Sequence, residues 1–149
     1  MPSILTPARN ASPNPAPVSA ARARTIAGYR NLSLWTLQGW AAMFFFAAGY
    51  AKLTEPMNNL IALMTWPALV SDSLVRGVGL VEIVLALGML APLVSWKLGR
   101  WPLLISAAGL VALEAIMLTV HAATLDWGLA ITNLILLAIT IPVLLGRRR

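Results

Sequence analysis

Glu82, Glu114, His121 and Asn133 stand in or at the ends of the most apolar stretches of this chain. A carboxyl group is costly in hydrocarbon, and an acid in such a stretch normally faces protein or a water-filled cavity. The chemistry open to these four is proton exchange or hydrogen bonding to a ligand. Burying acids with no such role would serve only to lock helices together. Glu82 lies six residues after Arg76, about 9 Å deeper along a helix. Glu114 precedes His121 by seven residues and Asn133 follows Asp126 by seven, about 10 Å in each case. If the three segments run alternately up and down, Glu82, Glu114 and Asn133 fall at one depth. Lys52, Arg76 and Asp126, with Asp72 and His121, then form a charged rim above them.

Facing agrees with depth. Residues seven apart share a helix face to within about 20°, so Glu114 and His121 point the same way, and Asp126, Asn133 and Thr140 make a polar stripe. Gly79 and Ala86 flank Glu82 at i−3 and i+4, and small residues let a neighbouring helix approach. Glu82 is therefore expected to face the interior opposite Glu114, or to hydrogen-bond Asn133. His121 lies about 10 Å above both acids, too far for one ion to reach all three, so no metal site is expected. A single histidine gives no bis-histidine haem, and no Gly-rich phosphate loop is present.

The elements that must position these residues are membrane spans. Of 149 residues, 59% are hydrophobic and 11% charged, where a soluble domain has about 25% charged. So short a chain has too little interior for that much apolar surface. Four segments have crossing length, about 20 residues: 34–52, 74–94, 101–121 and 127–145. Nine of the eleven Lys and Arg fall before the first, between the second and third, or after the last. Only Lys52 and Arg76 lie on the other side, so the positive-inside rule puts both termini in the cytoplasm. The net charge of +6 is a topology signal on this reading, and no nucleic-acid partner is expected. Trp35, Trp96 and Trp101 mark the inner boundary, Tyr50 and Trp127 the outer. Lys52 is expected to snorkel to the interface.

Between the first two spans, Met57, Leu60, Ile61 and Met64 follow a helical pattern. They predict a short amphipathic helix, with Thr54 as its cap and Pro56 in its first turn. Residues 1–30 are expected to be a disordered Pro/Ala-rich cytoplasmic tail, with no secretory leader because no apolar run follows the start. Residues 31–149 form the transmembrane domain. The expected fold is an all-α integral membrane four-helix bundle. With no cysteine, thiol, disulfide and iron–sulfur chemistry are excluded.

The stretches FFFAAGYAKL at 44–53, RGVGLVEIVLALGMLAP at 76–92 and HAATLDW at 121–127 resemble the DoxX family, in particular its DoxX-like branch. The shared features are Gly49-x-x-Lys52-Leu53, Gly79-x-x-Glu82, the run Leu87, Gly88, Leu90 and Pro92, and His121 closing the third span. The resemblance implies a small bacterial inner-membrane bundle near quinone-dependent redox enzymes. It supplies no reaction, and the chain offers no redox-active side chain, so an accessory or quinone-binding subunit is expected before an enzyme. Two other readings stay open: a proton-coupled exporter working as a homo-oligomer, and a membrane-protein assembly factor. Reporter domains fused after Leu53 and after Arg149 should report opposite sides of the membrane. The same side for both would exclude four spans.

Overall fold

The computed structural model describes residues 17–148. All regular elements among them are helical: α1 (Pro17–Thr54), α2 (Met57–Met64), α3 (Asp72–Leu90), α4 (Trp96–Ala123) and α5 (Trp127–Arg147), with 3-10 turns at Trp66–Leu69 and Ala91–Leu93. Among the described residues the chain divides into two compact units that part between Leu32 and Ser33.

In the first unit the helix already starts at Pro17. The expected tail over 1–30 therefore needs correcting for residues 17–30; the remainder, 1–16, lies outside the described residues. Proline is tolerated in a first turn because its missing N–H is not needed there. The Ala and Arg that follow are among the strongest helix formers. Ile26 and Tyr29 are exposed on this stretch.

The second unit is built inside out relative to a soluble domain. Among the described residues three helical segments are long and apolar enough to cross a membrane, Asp72–Leu93, Trp96–Ala123 and Trp127–Arg147, and less than a third of the most apolar stretch of each is buried. Four such segments were expected. The stretch 34–52 belongs to the 38-residue α1, where Gln38, Lys52 and two glycines dilute its apolar character. Large apolar side chains such as Leu80, Val84, Ile105, Ile116 and Ile135 point outward. Gln38, Lys52, Glu82, Glu114, His121, Asn133 and Thr140 are buried. Only a hydrocarbon solvent favours that distribution. The chain is thus an all-α helical bundle of the membrane. α4 packs along both α3 and α5, and Ala86, Met89, Leu103, Ala107, Leu110, Leu136 and Val143 meet in the core with Ala41, Ala42 and Phe45 of α1.

The amphipathic helix between 53 and 73 forms as α2. Leu60 is fully buried and packs with Trp66 and Val75, with Met57, Met64, Met117 and Val120 around them. The expected cap does not form. Thr54 turns its hydroxyl back to the carbonyl of Tyr50 (2.9 Å), and Pro56 takes the N-cap position. Proline at that point sets an extended entry that a Thr54 cap would have to cross.

α1 and α3 touch through glycine. A Cβ on Gly49 would lie 2.5 Å from the Gly79 carbonyl oxygen and 3.1 Å from Glu82 Cβ. One on Gly79 would lie 2.7 Å from Lys52 Cβ and 2.8 Å from the Gly49 carbonyl oxygen. Overpacking of this kind costs about 1–3 kcal/mol. Gly49→Ala and Gly79→Ala should each lower the melting temperature in detergent. Gly77→Ala, with nothing within 4 Å of the added carbon, should leave it unchanged or raise it slightly. Equal behaviour of all three variants would refute the crossing.

Candidate functional site

The glycine crossing decides where Lys52 goes. With no side chain at Gly79, the Lys52 stem lies against the α3 backbone, and its ammonium donates to both oxygens of Glu82, at 2.9 and 2.8 Å. Lys52 is 5% exposed and Glu82 3%. This corrects the expectation that Lys52 snorkels to a rim: the crossing brings a counter-charge within reach at less cost than stretching to the headgroups. Glu82 pairs with Lys52 and forms no bond to Asn133, whose Nδ2 has no partner. Arg76 does take an end position. Its guanidinium donates to the carbonyls of Lys52 and of Glu55 (2.8 Å) and to Asp72 (3.1 Å). It thereby satisfies carbonyls that the end of α1 leaves open.

Beside the pair lies a cavity of about 270 Å³. Its apolar wall includes Phe44 and Ala48 of α1, Met64 and Trp66 from the α2 connection, Met117 of α4, and Leu129 and Leu136 of α5. Glu82, Glu114, His121 and Asn133 all line it, so the structure brings the four ligand-site candidates together. Glu114 and His121 are each 4% exposed and Asn133 8%. Glu114 Oε2, His121 Nδ1 and Asn133 Nδ2 are buried with no hydrogen-bond partner. Such an atom costs about 1–3 kcal/mol, so three around one space are unusual for mere packing. Expected at the rim, His121 is instead buried in the cavity wall. Thr140, next on the expected stripe, is fully buried below and bonds back to the Leu136 carbonyl (2.8 Å).

Of the rim candidates, Lys52 joins the cavity lining, whereas Arg76 and Asp126 do not. Asp126 caps α5 by accepting from the Leu129 amide (3.4 Å) and takes the Thr65 hydroxyl at 3.0 Å. That second bond ties the α2 connection to the α4–α5 turn. Both linked segments are tightly bent: Thr65 and Leu125 have φ of 60° and 59°, a region that non-glycine residues seldom enter. No three His, Cys, Asp or Glu among the described residues are grouped to hold a metal ion.

Sequence reasoning missed a second polar cluster at the opposite end. Gln38, fully buried, donates to the Met89 carbonyl (2.6 Å) and accepts from Arg147 Nε (3.3 Å). The Arg147 guanidinium lies 4.8 Å from the Trp35 ring and 5.0 Å from that of Trp96. The available signal was Gln38 itself, an amide in an apolar run. Its partner lies 109 positions away, beyond any local pattern.

A family model described as the DoxX-like family matches residues 36–143. The match spans most of the chain and both glycine motifs, and the protein belongs to that family. It is a multi-pass membrane protein. No curated protein and no solved structure matches it.

Breaking a buried ion pair by removing one partner costs about 3–5 kcal/mol, whereas replacing both by apolar groups is often nearly neutral. Lys52→Met and Glu82→Leu should each lower the melting temperature in detergent more than the double variant does. A double variant as unstable as the two losses added together would show that the residues do not act as a pair.

Proposed function

We propose that this protein takes up a small lipophilic molecule with a polar, quinone-like head into the cavity beside the Lys52–Glu82 pair. The observation that carries the reading is the set of three buried, unpartnered atoms of Glu114, His121 and Asn133 around one otherwise apolar space. A few convergent polar groups in an apolar pocket are the usual signature of a small-molecule site. The Lys52–Glu82 pair is internally satisfied and serves to hold α1 against α3. Ligand contact falls to the three side chains on α4 and α5.

On this reading the protein is a non-catalytic accessory subunit that holds its ligand near a redox enzyme in the bacterial inner membrane. The first apolar stretch of α1 then counts as a fourth span, and both termini face the cytoplasm, as the Lys and Arg asymmetry favours. Mass spectrometry of gently solubilised protein should find one lipophilic compound in near-stoichiometric amount. Glu114→Leu combined with Asn133→Leu should remove it while the helical circular-dichroism signal is kept. Absence of any such compound from the unaltered protein, or its retention in the double variant, would overturn the proposal.

A further inference from the structure

We infer that the head group selected by this cavity bears a hydroxyl on an aromatic ring, a phenol or hydroquinone, in preference to a head that offers only carbonyl oxygens. The inference rests on the reading of the cavity as a ligand site and specifies what fills it. The argument is one of donors and acceptors. Asn133 Nδ2 donates only, so the head must present an acceptor. Glu114 Oε2 accepts when the carboxyl group is ionised and can donate when it is protonated. His121 Nδ1 can do either, depending on tautomer. Among the described residues Glu114 forms no ion pair, whereas Lys52 gives two hydrogen bonds to Glu82.

A carbonyl-only head suits Asn133 but turns lone pairs toward an ionised Glu114. A quaternary ammonium suits an ionised Glu114 but offers Asn133 nothing to receive its N–H. A hydroxyl donates and accepts at once. It satisfies both side chains in either protonation state of Glu114. The wall adds the ring. Phe44 and Trp66 supply aromatic faces and edges, and Met64 and Met117 supply thioethers. Both contact types favour a flat aromatic group over an aliphatic alcohol.

The test uses para-propylphenol and its methyl ether, para-propylanisole, titrated calorimetrically into the full chain in detergent. These differ in the O–H and share the ring and tail. The phenol should bind about tenfold tighter or more, as expected where a site reads a hydroxyl by hydrogen bonding. Glu114→Leu should shrink that preference to about threefold or less. Glu114→Met gives the same readout if Glu114→Leu does not fold, and Asn133→Leu, on the other helix, should weaken phenol and ether alike because both present the oxygen it donates to. Equal binding of phenol and ether would overturn this inference and leave the cavity reading standing. Tighter binding of decyltrimethylammonium than of the phenol, lost in Glu114→Gln, would overturn it in favour of a cation site. Binding of none of the three probes, together with no copurifying compound, would remove the cavity reading itself and this inference with it.

Discussion

The contact of Gly49 with Gly79 is the constraint on which the rest depends. Both added Cβ atoms would fall under 3 Å from the partner's backbone oxygen, so the two helices touch through their main chains. The contact is reciprocal. Gly79 makes room for the Lys52 stem, and Gly49 makes room for the stem of Glu82. Each glycine sits three residues before a charged residue in its own helix, so two antiparallel copies of one spacing place an ammonium and a carboxylate together. In hydrocarbon, where neither charge has water, this is how both can be kept. A larger residue at either glycine would separate the helices and leave two lone charges.

From that pair the rest of the end is assembled. Arg76 closes the α1 terminus by taking two of its open carbonyls, so the chain can turn into α2 without exposing them to lipid. α2 then lies where Leu60 and Trp66 can bury against Val75, Met117 and Val120. The Thr65–Asp126 bond joins this cover to the start of α5. The result is a space bounded by five helices and one 3-10 turn, in which Glu82 is paired with Lys52 and Glu114 forms no ion pair among the described residues.

How much of this could be read in the sequence varied with the range of the interaction. The apolar segments, the short helix at 57–64 and the common depth of Glu82, Glu114 and Asn133 follow from local composition and helical rise, and the structure brings those three side chains to one cavity. Lys52 was misjudged because snorkelling is a single-helix argument, while its actual partner depends on how closely α1 and α3 approach. The same two glycine motifs held that information, once read as a pair. Residues 17–30 form a helix because propensity within the Ala/Arg run outweighs the prolines before it. Gln38 and Arg147 could not be paired from pattern alone, since nothing local links them.

The two polar clusters provide an internal comparison. At the Trp96 end, Gln38 is used as donor and as acceptor, and Arg147 is engaged by Gln38 and by two indole rings. That is what polar groups do when their task is to hold helices together. At the His121 end, Lys52, Glu82, Arg76 and Asp126 are engaged in the same manner, yet Glu114, His121 and Asn133 each keep an unpartnered atom and border one cavity. Burial is equally complete at both ends, so depth alone does not explain the difference. What separates the two ends is the cavity: the open atoms of Glu114, His121 and Asn133 border it, whereas Gln38 and Arg147 do not. The Lys52–Glu82 pair adjoins that cavity and forms part of its wall.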